Sequence, residues 1–262
     1  MFTAVALLLL LTAGVLVRVT AFEQPPLDFH ATRQLHSAEI ARGMYYGGLP
    51  DVPAWQVEMA LEGQAEKGLI EPQIMESVSA AAWVALGGEY LAVPRALSIA
   101  FWTLGALAIF GAGARVSGGV AGLVAAAVFL FLPFGVVASR AFMPDPLMVA
   151  LMSAALWLGA SWATAPPRTR MVWASGAGLV TGLAVLVKLT AGFMLAPFCV
   201  ALVLGSAGVG LFRRPDVLVY AILTAAPPVA FILYAQAATG VGLEEHGSRL
   251  FPELWVTADF WS

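Results

Sequence analysis

Residues 171–212 read MVWASGAGLVTGLAVLVKLTAGFMLAPFCVALVLGSAGVGLF, an apolar tract whose only charged side chain is Lys188. As one helix it would run to roughly 60 Å at about 1.5 Å per residue, twice the ~30 Å of bilayer hydrocarbon. A lysine at the bilayer centre costs about 2.5–3.5 kcal/mol on insertion scales, whereas a hairpin tip sets it near water. The tract therefore divides into two spans joined near Lys188. That division makes the chain an all-α, polytopic transmembrane helical bundle.

Composition agrees. Of 262 residues, 60% are hydrophobic and 11% charged, and the mean hydropathy is +0.86, which excludes an ordinary soluble fold. The net charge of −3 comes without any basic stripe interleaved with aromatics, so a nucleic-acid partner is excluded. Cys199 is the sole cysteine and lies in an apolar run, which rules out a disulfide framework and a cysteine metal site. Asparagine is absent, so no N-glycosylation acceptor marks the topology. The preference for Arg over Lys, with abundant Ala, Gly and Val, points to a bacterial, GC-rich source.

Working outward, Thr3 to Val19 reads as a retained anchor, since no Lys or Arg precedes it and no small-x-small site follows. Leu97–Ala114, Gly119–Val137, Leu147–Ala163 and Val217–Ala235 bring the expected total to about seven spans. Gly118/Gly122 and Gly178/Gly182 have small-xxx-small spacing suited to close helix packing. Alternation puts Arg115, Arg168/Arg170 and Arg213/Arg214 on one side, and Asp28, Asp145, Lys188 and the C-terminal segment on the other. By the positive-inside tendency the Arg-bearing loops are cytoplasmic and the reactive groups face outward. Residues 244–262 open another outward segment without a recognisable ending, so the chain is expected to be the N-terminal part of a longer transmembrane domain.

The first outer loop, about 21–95, is far longer than an ordinary connection. It carries FEQPPLDFHATRQLHSAEIARGMYY at 22–46, crowded with Asp28, His30, Arg33, His36, Glu39 and Arg42. Such a mixture beside a bilayer is costly unless water or substrate solvates it, which marks an active-site loop. Asp28 can cap a helix running toward Met44, with Gly43, Gly47 and Gly48 as stop signals. Pro53–Glu66 is a second helix, with Trp55, Met59 and Leu61 as a partial apolar stripe. A third starts near Glu71 and Pro72 and turns Ile74, Val78, Ala82 and Ala85 to one side. These helices lie along the membrane interface or dock on the spans.

Asp28 reads as a general base, a helix cap or half of a structural ion pair. As a base it needs its pKa raised above the ordinary ~3.9, by burial or by a nearby Asp145. SRAFMPDP at 139–146 is a polar turn in which prolines flank Asp145. Asp145 can orient a sugar, hold a divalent cation or cap the next span. Arg33, Arg42, Arg95, Arg140 and Lys188 are phosphate ligands or interface anchors. His30 and His36 are six residues apart, a poor match to metal-ligand spacing. His30 is placed beside Asp28, His36 in a structural role, and His246 with Glu244 and Glu245 on a solvated patch.

AEIARGM at 38–44, GEYLAVPRALS at 88–98, SRAFMPDP at 139–146 and GLAVLVKLTAG at 182–192, taken in this order, resemble the N-terminal half of the GT-C glycosyltransferases that use polyprenyl-phosphate sugars. Protein O-mannosyltransferases and the lipid A aminoarabinose transferase are among them. The resemblance implies an integral protein of the bacterial inner membrane with an outward-facing site. It would move a sugar, with inversion, from a polyprenyl-phosphate carrier to a hydroxyl of a lipid, glycan or protein acceptor. Asp28 and Asp145 look like that family's two acidic catalytic positions, and His30, Arg33, Glu71, Arg95, Arg140 and Lys188 are expected to bind substrate. No resident metal or cofactor is required, a divalent cation at Asp145 being an option. The chain departs from the aminoarabinose branch in having Arg33 and Gln34 where that branch has an acidic pair, and Glu71 where it has a base before its prolines. A transporter or assembly subunit is the competing reading. It would place polar residues at mid-span and repeat its halves, whereas here they collect at span ends.

Overall fold

The computed structural model describes residues 2–20, 22–69, 71–207 and 213–239, and every regular element among them is a helix. In chain order these are α1 (Phe2–Arg18), α2 (Ala31–Tyr46), α3 (Ala54–Lys67), α4 (Ile74–Leu86), α5 (Ala92–Ser117), α6 (Gly119–Phe131), α7 (Pro133–Ala138), α8 (Asp145–Ala163), α9 (Pro167–Val187), α10 (Thr190–Ala207) and α11 (Pro215–Thr239). Among the described residues, α5, α8, α9 and α11 are long and apolar enough to cross a membrane, while α1, α4, α6 and α10 are shorter apolar helices.

The tract at 171–212 divides where its lysine demands. Helix α9 ends at Val187, Lys188 adopts extended backbone (φ −156°, ψ 121°), and α10 begins at Thr190. The expected span at 119–137 is instead two helices. Pro133 has no N–H to donate and disfavours helical backbone in the residue before it, so Leu132 is extended (ψ 124°) and α6 stops at Phe131.

In the bundle α5 packs on α6 and α8, α9 lies between α8 and α11, α10 leans on α8 and α9, and α1 rests on α6. Glycines permit the close contacts: a Cβ on Gly178 would come within 2.6 Å of Tyr220 O, and one on Gly122 within 2.6 Å of Phe110 O. Gly118 works differently, making the α5–α6 turn at φ 89°.

Helices α2, α3 and α4 sit at the α5 N-terminal end, α2 touching α3 and α4, and α4 touching α5. Ala38, Ala41 and Tyr45 of α2, Met75, Ala80 and Trp83 of α4 and Phe142 form their shared core. The buried side of α4 is Met75, Glu76, Ser79, Ala80 and Trp83, not the expected stripe, and Val78 is exposed. In a membrane protein apolar side chains satisfy lipid equally well, so the inward face is chosen by the groups that need partners. Helix α3 has no buried residue, and Trp55 and Met59 are each 63% exposed. The far end of the bundle is closed by Arg115 donating to Thr164 Oγ1 (2.9 Å), Trp162 donating to Asp216 (2.9 Å) and the Arg214–Asp216 ion pair.

Candidate active site

Asp28 precedes α2, and the helix start turns it inward. His30 is the residue flanking α2 and adopts left-handed backbone (φ 47°, ψ 57°), with no side chain capping the helix. Asp28 is therefore not the cap that its position allowed. Its Oδ1 accepts from Gln34 Nε2 (3.0 Å) and Arg95 Nη2 (3.3 Å), and its Oδ2 accepts from Arg95 Nη1 (3.3 Å). Arg140 Nη2 stands 3.6 Å from Oδ2. Arg95, near the start of α5, is 2% exposed and also donates to Pro25 O (3.1 Å). Burial opposes ionisation of Asp28, but the hydrogen bonds from Gln34 and Arg95 and the Arg95 charge outweigh it and hold the pKa at about 2. The rise that a base was read as needing, from burial or from a nearby Asp145, is not found; the shift is downward, and the Asp145 carboxylate is engaged by Lys188.

The 139–144 turn that aims Arg140 is buried rather than polar, with Ser139, Ala141, Phe142 and Met143 all inside. Its backbone groups need partners there, and three side chains supply them or brace them. Arg18 Nε donates to Ser139 Oγ (2.6 Å), while its Nη atoms donate to Gly14 O and Leu130 O (both 2.8 Å). Ser98 Oγ donates to Ala141 O (2.8 Å), and Gln34 Oε1 accepts from Phe142 N–H (2.9 Å). Arg140 Nη1 donates to Thr20 O (2.8 Å).

A second charge group adjoins the first. Asp145 opens α8, and Lys188 Nζ donates to both its oxygens at 2.9 and 3.1 Å. Arg33, beside Gln34 on α2, pairs with Glu71. Burial pushes the Glu71 carboxyl up and the Asp145 charge adds to this, against the pull of Arg33 and Lys188. Arg33, His36, Glu71, Glu76 and Pro144 line one cleft.

Of the expected site residues, Asp28, Arg95 and Arg140 form one group, and Arg33, Glu71, Asp145 and Lys188 the other. His30 is exposed and sets its ring edge-on to Phe29 at 4.5 Å. Arg42 pairs with Glu89 (3.1 Å) and lies over Tyr46, apart from both groups. The segment with His246 lies outside the described residues. Gln34 stood out in the sequence only as a departure from the aminoarabinose branch, and Arg18 was not singled out. Arg18 at the end of an apolar helix was a visible signal, whereas nothing local marks a buried glutamine as a bridge. Among the described residues, no three His, Cys, Asp or Glu side chains converge to hold a metal.

Two guanidiniums facing one carboxylate leave positive charge in excess. Arg95 Nε and Arg140 Nε, both buried, have no hydrogen-bond partner among the described residues. The group can therefore position a proton acceptor and receive an anion beside it.

No curated protein and no solved structure matches the chain. A family model described as dolichyl-phosphate-mannose-protein mannosyltransferase matches residues 74–234, which contain Arg95, Arg140, Asp145 and Lys188 and make up more than half of the sequence. The chain belongs to that family.

Proposed function

We propose that the protein transfers a sugar from a polyprenyl-phosphate carrier to an acceptor hydroxyl, with inversion, on the outer face of a bacterial inner membrane. Family membership makes it a membrane glycosyltransferase of the GT-C type; donor, stereochemistry and sidedness belong to this reading. The observation that carries it is Asp28 clamped by Arg95 and Arg140 at one end of the bundle.

In the reaction the acceptor oxygen attacks the anomeric carbon as the C1–O bond to the carrier phosphate breaks. The hydroxyl proton passes to Asp28, and the carrier leaves as polyprenyl phosphate. A carboxylate with pKa about 2 removes that proton late, once the attacking oxygen has become acidic through bonding. Arg95 and Arg140 hold Asp28 in place, and two guanidiniums against one carboxylate leave a net positive field that favours the charge growing on the departing phosphate. The Asp145–Lys188 and Arg33–Glu71 pairs are suited to the sugar hydroxyls and the carrier phosphate. The outer-face assignment is supported by Arg115 and Arg214 lying at the opposite end. That the polar groups gather at the bundle end favours interfacial catalysis over transport.

The test is transfer from a panel of polyprenyl-phosphate sugars by the full-length protein in sealed vesicles of known orientation, with the product's anomeric configuration read by NMR. Inverted product on the face bearing Asp28 is expected. Retained configuration would overturn the single displacement, and no transfer from any donor would overturn the donor class.

A further inference from the structure

Gln34 is fully buried, and all three of its carboxamide hydrogen bonds run to the site. Nε2 donates to Asp28 Oδ1 (3.0 Å) and to Phe29 O (2.6 Å), while Oε1 accepts from the backbone N–H of Phe142 (2.9 Å). Phe142 lies in the turn that carries Arg140 and leads into Asp145, and that turn is tied independently to Arg18 and Ser98. One amide therefore fastens the loop before α2 to the turn before α8. Resting on the mechanism above, we infer that Gln34 is a positioning residue that locks the Asp28 carboxylate to the Arg140-bearing turn, so that base and phosphate-facing guanidinium are held as one unit.

An amide is the group this place calls for. The bridge needs two donors, toward Asp28 and Phe29 O, and an acceptor toward Phe142 on the same planar head, a set found only in Asn and Gln among neutral side chains. A carboxylate would repel Asp28 and leave Phe29 O without its donor; an ammonium would leave Phe142 N–H unsatisfied. The charged groups facing Asp28 are Arg95 from α5 and Arg140 from the turn, and Arg33, next to Gln34, is taken by Glu71. Among the described residues, Gln34 thus supplies the only neutral side-chain donor to this carboxylate.

The experiment compares wild type, Gln34→Glu, Gln34→Met and Asp28→Asn as full-length protein in membranes, with polyprenyl-phosphate mannose as donor. Gln34→Glu keeps the Phe142 bond but reverses the interaction with Asp28; Gln34→Met keeps the bulk and removes all three bonds. Both variants should lose kcat by about 10²-fold, as a misplaced reacting group does, with donor KM within about twofold of wild type. Both should also move the acid limb of the pH profile up, by about one unit or more in Gln34→Glu, since like charge makes Asp28 more basic. A fall in kcat with the acid limb unmoved in both variants would reduce Gln34 to packing and overturn the inference. If Gln34→Glu fails to fold, Gln34→Met carries the same two readouts. Asp28→Asn separates the layers: full turnover there rejects the base assignment itself, whereas lost turnover there with an unmoved limb in the Gln34 variants rejects this inference alone.

Discussion

Asp28 and Glu71 are two acidic side chains of the same loop, Glu71 the more deeply buried, and their pKa values move in opposite directions. Around Asp28 the donors outnumber the carboxylate: Arg95 binds both oxygens, Gln34 adds a third bond, and Arg140 adds charge. Around Glu71 the charges alternate, with Arg33 and Lys188 opposed by Asp145, and burial decides the outcome. The direction of each shift is therefore set by burial weighed against the local donors: deeper burial wins at Glu71, and the donors win at Asp28. The consequence is a division of labour, in which Asp28 stays ionised and fixed while Glu71 sits closer to exchanging a proton.

The largest consequence concerns the arginines. Arg95→Met removes two bonds to Asp28 and the one to Pro25 O, and should cost about 2–3 kcal/mol of stability, less than a fully buried ion pair because the Asp28 left behind can be solvated. Arg33→Met strips Glu71 of a half-exposed partner. Because Glu71 can take up a proton instead, the loss should be about 1–2 kcal/mol at pH 7 and smaller at pH 5. Equal losses in denaturant titrations of the two variants would break the comparison.

A smaller effect appears in the pH dependence of stability. The pKa of Asp28 falls from 3.8 unfolded to about 2 folded, so its contribution is complete above pH 4 and is lost as pH drops toward 2. Screening by solvent around this largely exposed carboxylate reduces its size to about 1 kcal/mol. Glu71 has the reverse sign: its folded-state pKa is raised, so stability falls as pH rises through the carboxylate range. Subtracting the stability profile of Asp28→Asn from that of wild type should leave a curve rising between pH 2 and 4 and flat above. The Glu71→Gln difference should slope the other way.

Much of the bundle was legible because bilayer physics writes it plainly. The cost of a lysine in hydrocarbon put the division at Lys188, and α9 ends at Val187; proline and glycine bounded the loop helices near Ala54 and Gly47. What escaped was set by partners distant in sequence. The inward face of α4 follows Glu76, Ser79 and Trp83 rather than its aliphatic stripe, because lipid accepts the aliphatic side as readily as a core does. The break at Pro133 was readable but was overruled by the apolar run around it. At the site, the residue types that meet were visible, but their pairing was not. Asp28 finds Arg95 across 67 positions and Asp145 finds Lys188 across 43, and no spacing rule reaches that far.

The measurement that bears most directly on the account is sugar transfer by Asp28→Asn beside Asp145→Asn, in matched membranes with the same polyprenyl-phosphate donor. A fixed, ionised base predicts that Asp28→Asn loses about 10²–10⁴-fold in kcat with donor binding retained, and that Asp145→Asn, which frees Lys188, acts mainly on donor KM. Normal turnover by folded Asp28→Asn would contradict the account at its centre.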